Sequence, residues 1–526
     1  MPRKSWAATL LGFCLIVLLL GGGCRCSRAP QPTSATGPAP SVRLYLFSSV
    51  AGALEPCGCV KDMLGGVDHF AALLAHDPTR ARVVLGAGPL LFRDPTLEPK
   101  ERDQNVLKAR ALGEVMSGLG LVGWAPGAND WAGGAELLTE VTKDHLELFA
   151  SNLGDAYSKG RVLDVGGERV GIVGVSTPAG GVVPSVTDPR AALAAGAEWL
   201  TAQGARIRVA LVAMPRGEAL RLAEAVPSFH VMLIGKSIDR GEVNDPPAPP
   251  LRVGQTLVVE APNHLQSVAV VDLFVKGGSY SFADGSGIEI EERRARLAGR
   301  RRDLETALAR SGISADDRAA RRRDLEALDA EVAGLKRPES LPAGSAFRYE
   351  LVDVRDKLGS EPASQKRLAA YYQAVNAHNR EAFKDVLPPP VPAGQSSYVG
   401  VDACTGCHQS ERAFWEKTPH RGAYETLAKQ SKEFNLECVG CHVTGYEAPG
   451  GSTVAHVDGL KSVQCEVCHG PGSRHIGNPA DAALISVPER SLCAAKCHHV
   501  PHVHADWSVD LAWPVIVGKG HERKRR

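Results

Sequence analysis

The sequence predicts a multidomain protein in which an α/β layered domain with an inserted helical hairpin precedes a mainly α-helical or irregular domain. Three observations predict this order. β-Branched apolar runs alternate with helical stretches up to about residue 285, two charged amphipathic segments follow, and eight of the 13 cysteines and 11 of the 17 histidines lie after residue 400. The 526 residues also exceed the length that one hydrophobic core usually supports.

The N-terminus has the features of a secretory signal. Arg3 and Lys4 precede an apolar run over residues 7–20, which is shorter than the ~20 residues of a membrane-spanning helix. Cleavage after residue 23 would leave Cys24 at the new N-terminus, as in a bacterial lipoprotein, so Cys24 is the predicted lipidation site. An ordinary cleaved signal and an uncleaved anchor are the alternatives.

We therefore expect a protein on the periplasmic or cell-envelope side, held at the membrane by a lipid. Residues 24–41 are rich in Ser, Pro, Thr and Ala and predict a flexible tether. The formal net charge of +1 gives no indication of nucleic-acid binding.

Residues 42–285 have the pattern of an α/β domain. Several apolar runs are continuous rather than alternating, which is typical of strands buried on both faces. The predicted strands cover residues 42–47, 82–85, 168–175, 207–212 and 230–234, and the predicted helices cover residues 68–75, 106–118, 135–143, 191–203 and 218–225.

Residues 286–340 are predicted to form the helical hairpin. Leucines recur at spacings of three, four and seven residues among many arginines and acids, which is the pattern of two amphipathic helices. Ser311-Gly312 marks the end of the first helix, and Ser314 with Asp317 resembles a capping box at the start of the second. We interpret the hairpin as an insertion that covers the sheet or makes dimer contacts.

The region after the hairpin leads to the cysteine-rich domain. Residues 341–387 are predicted to be the helical end of the N-terminal region, with a helix over 365–383. A Pro-rich linker over 388–397 then precedes a domain over 398–507 and a basic tail over 508–526.

Four segments of this last domain carry paired cysteines followed by histidine. They are Cys404-Thr-Gly-Cys407-His408, Cys438-Val-Gly-Cys441-His442, Cys465-Glu-Val-Cys468-His469 and Cys493-Ala-Ala-Lys-Cys497-His498. The first three match the c-type haem attachment pattern, in which two thiols add to the haem vinyl groups and the adjacent histidine ligates iron. Structural zinc or a disulfide framework would leave the adjacent histidines unexplained. We expect haem c in three or four copies.

The fourth segment has three residues between its thiols instead of two. We expect one residue to loop out so that Cys493 and Cys497 can still hold one porphyrin, with His498 on its iron. A disulfide between the two cysteines is the alternative, and the protein would then carry three haems.

A low-spin haem iron also needs a second axial ligand. His420 follows Lys417-Thr-Pro at the head of a predicted helix, and His475 follows Gly470-Pro-Gly-Ser-Arg, so both are candidate distal ligands. One or two of four further histidines could serve as well, namely His456, His499, His502 and His504.

These segments resemble the cytochrome c-554 family of tetrahaem cytochromes. The resemblance covers about 110 residues, including the order of the motifs, and is carried by residues 398–408, by Cys441-His442-Val-Thr-Gly-Tyr446 and by Val463-Gln-Cys465-Glu-Val-Cys468-His469-Gly-Pro-Gly472. It implies that His420 and His475 are distal ligands. The fourth motif departs from the family form, and the family includes one haem with an open coordination position.

Residues 42–383 resemble the metallophosphoesterase and 5′-nucleotidase superfamily more weakly. The resemblance is carried by residues 44–48, 54–59, 83–89 and 126–130. Such enzymes hold two metals with aspartates and histidines at strand ends. Here those positions are Ser48-Ser49, Gly88-Pro89, Met214-Pro215 and Gly235-Lys236-Ser237, and Asn129 and Asp130 are the surviving candidates. The resemblance therefore implies a degenerate scaffold, and we assign no catalytic residue.

Cys57 and Cys59 have no assigned role. A disulfide across one intervening residue would be strained. Reduced thiols, pairing elsewhere, a soft-metal contact and two small buried residues in a turn all remain open.

The sequence favours an exported multihaem electron carrier that serves unidentified redox proteins, with the N-terminal domain as a docking scaffold. A multihaem oxidoreductase acting on a small nitrogen or sulfur compound at an open haem is one alternative. A residual metal-dependent phosphoesterase is the other.

Overall fold

The computed structural model describes residues 38–56, 62–143, 146–178, 186–238, 244–310, 313–499, 502–503 and 507–517. The predicted signal, the lipidation site at Cys24, the pair Cys57 and Cys59, and His504 lie outside the described residues.

The α/β domain begins with alternating strands and helices. In chain order they are β1 Val42–Ser48, α1 Val67–His76, β2 Arg82–Gly88, α2 Arg102–Gly118, β3 Leu121–Pro126, α3 Ala135–Thr142, β4 Glu147–Leu148, β5 Arg161–Val165, β6 Glu168–Ser176, α4 Pro189–Ala202, β7 Ile207–Ala213, α5 Arg216–Ala225 and β8 Val231–Ile234. The domain continues with β9 Leu251–Val253, β10 Thr256–Val259, β11 Ser267–Phe274, β12 Ala283–Asp284, α6 Ile288–Ala309, α7 Ala315–Gly334, β13 Ala346–Asp353 and α8 Pro362–Ala382.

Two mixed sheets form the centre of this domain. The first has the strand order β12-β13-β11-β1-β2-β3-β4, and the second has the order β5-β6-β7-β8-β10-β9. Apolar side chains from both sheets pack together in one core, which includes Leu44, Leu85, Ile172 and Leu211. Helices α1, α2, α3 and α8 cover the outer face of the first sheet, and α4 and α5 cover that of the second. The predicted α/β layering is confirmed.

The continuous apolar runs follow from this layering, because the central strands are covered on both faces. In β1, six of the seven residues are buried, and in β8 all four are buried. The parallel strands β1, β2 and β3 end at one edge of the first sheet. The polar residues that follow these strands are therefore brought close together.

The hairpin is formed by α6 and α7. Ser314 caps α7 by accepting a hydrogen bond from the Asp317 amide at 3.0 Å, as the sequence predicted. Ion pairs connect the two helices, and one of them joins Arg301 to Asp329 at 2.9 Å. The role of the hairpin, as a cover of the sheet or as a dimer contact, stays a prediction.

The segment predicted to be the helical end of the N-terminal region contains a strand. β13 precedes α8 and pairs with β11 along its whole length, from Ala346 to Asp353. Its neighbour on the other side, β12, has only two residues, so much of β13 is partly exposed and its sequence is mixed rather than apolar. The helical expectation is met by α8 alone.

The C-terminal domain consists of short helices joined by irregular segments. The helices are α9 Val401–Thr405, α10 Gln409–Trp415, α11 Ala423–Ala428, α12 Leu436–His442, α13 Cys465–His469, α14 Ser473–Gly477 and α15 Ser491–Lys496. A further helix, α16 Val509–Val517, follows in the segment predicted to be a basic tail. The apolar core of the domain is small and centres on Tyr424, Val439, Val443, Val454 and Val457. A domain with so few buried side chains needs a further source of stability.

No helix within the described ranges is both long enough and apolar enough to cross a bilayer.

Candidate functional site

Three of the cysteine-histidine motifs lie in or at the end of short helices. Cys404 lies in α9, while α12 and α13 contain the second and third motifs completely. Residues three apart in a helix lie on the same side. Each pair of thiols can therefore face one porphyrin.

The fourth motif accommodates its additional residue in a wider helical turn. In the first motif, the amides of Cys407 and His408 both donate to the carbonyl oxygen of Cys404, at 3.3 and 3.1 Å. In the fourth, the amides of Cys497 and His498 both donate to the carbonyl oxygen of the first cysteine, at 3.1 and 2.9 Å. The additional residue is thus taken up by an i to i+5 bond of the π type. The binding of haem at this motif stays a prediction.

Two of the predicted proximal histidines are held by backbone carbonyls. His442 Nδ1 lies 2.6 Å from the Ala423 oxygen, and His469 Nδ1 lies 2.9 Å from the Ser486 oxygen. A carbonyl can only accept a hydrogen bond, so each Nδ1 carries a proton, and the neutral form of each ring has its lone pair on Nε2. This is the tautomer that a histidine needs to ligate iron through Nε2.

The other two proximal histidines each face a predicted distal histidine. The ring centroids of His408 and His475 are 6.4 Å apart, and those of His420 and His498 are 6.1 Å apart. Metal–imidazole bonds are about 2 Å long and the centroid lies about 1 Å behind the nitrogen, so two rings on one metal have centroids about 6 Å apart. By this separation, His408 with His475 and His420 with His498 would be the residues that hold an iron between them.

The distal candidates have the character of metal ligands. Burial, and then the nearby charge of His498, lower the pKa of His420, which favours the neutral ring that binds metals. His475 Nδ1 is buried without a hydrogen-bond partner among the described residues. A buried polar atom of this kind is expected to have a partner, and a metal is one.

The remaining histidines are placed differently. His456 Nε2 lies 2.7 Å from the Lys384 oxygen, so that nitrogen already has a partner. The rings of His499 and His502 lie 4.8 Å apart. His502 also contributes to lowering the pKa of Glu437, the residue before the second motif. The assignment of distal ligands stays a prediction.

The thiols of the first and third motifs are in contact. A hydrogen bond between Cys404 and Cys465 lowers the pKa of Cys465 to about 7 and raises the pKa of Cys404. These values describe the protein before haem attachment, when the sulfur atoms still carry protons.

Thiols of the third and fourth motifs also interact with each other, and so do thiols of the fourth and second motifs. Cys468 interacts electrostatically with Cys493, and a hydrogen bond connects Cys497 to Cys441. The Cys441 thiol also donates to the Lys496 oxygen at 3.5 Å. The four attachment sites are therefore contiguous in the order one, three, four, two.

The strand ends of the α/β domain, where the phosphoesterase resemblance places two metals, are packed against each other. Ser49 Oγ donates to the Lys236 oxygen at 2.7 Å. A Cβ atom on Gly88 would lie 2.6 Å from Ser49 Oγ and 2.9 Å from Gly235 Cα. The described residues contain no group of three His, Cys, Asp or Glu side chains arranged for a metal ion, and the serine, glycine and lysine present here do not fit a dinuclear centre.

The candidate ligand Asp130 is used by the fold. Its fully buried carboxylate accepts hydrogen bonds from the amides of Leu90 and Leu91, at 2.9 and 2.7 Å, and from Gly127 and the Trp124 indole. Burial raises the pKa of Asp130 to about 6, although the backbone hydrogen bonds oppose this rise.

The side chain of Asn129 has one oxygen that forms no hydrogen bond with the described residues. Its Nδ2 donates to the Arg93 and Ile238 oxygens, at 2.7 and 3.0 Å. Its Oδ1 is buried without a hydrogen-bond partner among the described residues.

A group of buried amides between the two domains was not predicted. Gln104 and Asn379 belong to the α/β domain, whereas Asn435 is the N-cap residue of α12. Gln104 Nε2 donates to Asn435 Oδ1 at 3.1 Å, and Asn379 Nδ2 donates to Gln104 Oε1 at 2.9 Å. The sequence indicates this group only weakly, through the polar residue Gln104 on α2, a helix that packs against the core.

Comparison with known proteins identifies the C-terminal segment. Residues 403–470 match the family model described as cytochrome c554 and c-prime. Cytochrome c-554 of Nitrosomonas europaea is 33% identical over 102 residues, covering 16% of this chain and 43% of that protein. The chain thus spans less than half the length of this relative. The C-terminal resemblance is confirmed, and the family implies haem c as the cofactor.

Three solved structures are similar to parts of the chain at low sequence identity. The 5′-nucleotidase precursor from Thermus thermophilus is 18% identical, with 68% of this chain and 61% of that chain covered and a TM-score of 0.43. Sulfate thiohydrolase SoxB from the same organism is 15% identical, with 73% and 69% covered and a TM-score of 0.43. The NAD nucleotidase of Haemophilus influenzae is 14% identical, with 72% and 68% covered and a TM-score of 0.40.

Proposed function

We propose that this chain is an exported c-type cytochrome with four haems that passes electrons between redox proteins. One observation carries the proposal: the thiols of four cysteine-pair motifs with adjacent histidines lie close enough to interact, through a hydrogen bond or electrostatically, within a single domain. A contiguous series of attachment sites is what an electron relay requires.

Each haem would supply an iron that changes oxidation state by one electron. The paired thiols fix the porphyrin, and His408, His442, His469 and His498 are the proximal ligands. The carbonyls of Ala423 and Ser486 hold two of these rings in the ligating tautomer.

The distal histidines make a carrier more favourable than a catalyst. The two facing pairs, His408 with His475 and His420 with His498, have the spacing of six-coordinate iron. Two histidines on one iron would keep its surroundings nearly unchanged on oxidation or reduction and would leave no position for a substrate.

The α/β domain is proposed to be a catalytically inactive scaffold. Serine and glycine stand where a phosphoesterase has metal ligands, and the Asp130 carboxylate is engaged with backbone amides. Hydrolysis by a metal-bound hydroxide needs two metals held by charged donors. We expect no release of phosphate from a nucleotide ester when manganese is added.

The predicted signal and the predicted lipidation site at Cys24 support a location at a membrane outside the cytoplasm. Haem attachment to cysteine pairs, which must be reduced when the porphyrin arrives, fits that location with a maturation system present. The lipid on Cys24 would keep the relay close to partners in or on the membrane.

Two measurements on the mature protein test the proposal. Intact mass, after expression with a cytochrome maturation system, counts the haems and detects the lipid. A redox titration followed by haem absorbance should show four reversible couples, with low-spin spectra in the oxidised state. Absence of reversible couples would remove the proposal, and a high-spin signal that shifts on adding nitrite or hydroxylamine would favour the oxidoreductase alternative.

A further inference from the structure

The segment that leads into the second haem motif is held by the α/β domain at almost every residue. It begins at Lys432, whose ammonium group donates to Glu55 at 2.6 Å and lies 4.4 Å from the centre of the Tyr372 ring. Glu55 and Tyr372 both belong to the α/β domain. The tyrosine hydroxyl also donates to the same carboxylate, at 2.6 Å.

The next residue held in this way is Phe434. Its amide donates to Asn376 Oδ1 at 3.2 Å, and its carbonyl oxygen accepts from Asn379 Nδ2 at 2.8 Å. Both asparagines lie on α8. Both backbone groups of Phe434, the amide and the carbonyl, are thus hydrogen-bonded to α8.

Gln104 of α2 makes the central contacts. Its Oε1 accepts from the amide of Leu436 at 2.9 Å and from Asn379 at 2.9 Å, while its Nε2 donates to Asn435 Oδ1 at 3.1 Å. Asn435 Oδ1 accepts in addition from the Glu437 amide at 2.9 Å, which is the N-cap bond of α12.

These amides are deeply buried, with 1% exposure for Gln104 and Asn379 and 2% for Asn435. Buried polar groups are costly when a partner is lost, and a network with its bonds made favours a single geometry. The four residues Gln104, Asn376, Asn379 and Asn435, called the amide cluster below, therefore specify where α12 begins. Cys438 lies only three residues after the cap.

The first motif is held differently. The amides of Val399 and Gly400 donate to Glu466, and the amide of Val401 donates to Gln464 at 2.7 Å. Glu466 lies inside the third motif. The start of the first motif is thus held by the third motif, within the cytochrome domain, whereas the segment that leads into the second motif is held by the α/β domain.

We propose that the α/β domain positions the second haem through the amide cluster, with the Gln104–Asn435 contact as the central link. In this role Gln104 is a positioning residue, because it acts through α12 and the attachment cysteines. The proposal rests on the proposed function, since it assigns the scaffold to one haem of the relay.

The test uses the full chain with three substitutions. Gln104→Met keeps the side-chain volume and removes all three hydrogen bonds. Asn435→Ser keeps a good helix N-cap but is too short to reach Gln104, so it separates local capping from the link between domains. Gln365→Met is the matched control, because Gln365 is exposed on α8.

Three readouts are compared with the wild type. Peptide mass shows the fraction of chains with haem on Cys438 and Cys441, and a redox titration gives the couples. The couple that is lost in Cys438→Ala/Cys441→Ala belongs to the second haem. Circular dichroism checks that each variant is folded.

We expect both Gln104→Met and Asn435→Ser to lower haem occupancy at the second motif and to shift or broaden its couple, with the other couples and the control unchanged. Wild-type occupancy and an unshifted second couple in both variants would overturn the proposal. If Gln104→Met does not fold, Asn435→Ser decides, since its helix cap is kept. Failure of the proposed function is distinguished from failure of this proposal. If the proposed function fails, the wild type lacks reversible couples, and peptide mass still measures haem occupancy in every variant.

Discussion

The ammonium group of Lys108 forms an ion pair with the carboxylate of Glu437, and this pair joins the α/β domain to the residue directly before the second motif. The Lys108 side chain is 9% exposed and that of Glu437 is 26% exposed. Arg93 lies 3.8 Å from the same carboxylate. Burial opposes the ionisation of Glu437, but these two positive charges and the hydrogen bond outweigh it and lower its pKa.

Replacing Lys108 by methionine should destabilise the protein by about 1 to 3 kcal/mol at pH 7, because a partly buried carboxylate loses its main partner. The folded-state pKa of Glu437 is lowered, so its contribution is present above the ordinary glutamate pKa of about 4.3 and is lost as the pH falls through the lower folded value. The difference between wild type and Lys108→Met should therefore shrink below about pH 4. Denaturant unfolding at a series of pH values measures it.

The control is Lys159→Met. Lys159 forms an ion pair with Asp155, but both side chains are largely exposed, at 74% and 90%. Exposed pairs contribute little, so this variant should unfold like the wild type. An equal loss of stability in both variants, or a difference that does not change with pH, would contradict the role given to Lys108.

The two facing histidine pairs predict the spin state of two haems. His420→Ala and His475→Ala should each convert one iron from low spin to high spin, because each removes a sixth ligand. Electron paramagnetic resonance of the oxidised protein measures the change. His378→Ala is the control, since His378 is on α8 and contacts Asp103 at 3.5 Å. Unchanged low-spin spectra in both variants would show that other residues supply the distal ligands.

The wider turn of the fourth motif predicts that it carries haem. Cys493→Ala/Cys497→Ala should lower the intact mass by one haem, and the remaining three motifs should stay occupied. The reason is that, in the first and in the fourth motif, the carbonyl oxygen of the first cysteine accepts from the amides of both the second cysteine and the histidine, although the fourth motif has one more residue between its thiols. A wild-type mass with three haems, together with a disulfide between Cys493 and Cys497, would be the opposite result.

Local signals made much of the fold predictable. The cap of Ser314 on Asp317 and the buried strands were found because their determinants lie within a few residues of each other. Strand β13 was missed because it is paired fully on one side only, so its sequence lacks a continuous apolar run. Its hydrogen-bond partners on β11 precede it by the whole length of the hairpin.

In the candidate site, too, the features encoded by neighbouring residues are predictable and the contacts between distant residues are not. The attachment motifs are local patterns that can be recognised in the sequence itself. The candidate distal ligands His420 and His475 follow from their sequence contexts, with which the family resemblance agrees. The link between Gln104 and Asn435 could not be predicted, since the two residues are 331 positions apart. Either amide alone is compatible with an exposed helix position or a turn.

The buried carboxylate of Asp130 gives a last prediction, which concerns stability and not catalysis. Burial raises the folded-state pKa of Asp130 to about 6, whereas an unfolded aspartate has a pKa of about 3.9. At pH values between these two pKa values, the native state therefore binds a proton that the unfolded state has lost. The stability that this proton contributes is lost as the pH rises through about 6.

Asp130→Asn removes this titration. Relative to that variant, the wild type should lose on the order of 3 kcal/mol between about pH 4 and pH 7. Asp130→Ala should destabilise at every pH, because the amides of Leu90, Leu91 and Gly127 lose their acceptor in a buried place. Urea unfolding from pH 4 to pH 7 separates these effects, and a parallel pH dependence in wild type and Asp130→Asn would show that another group is responsible.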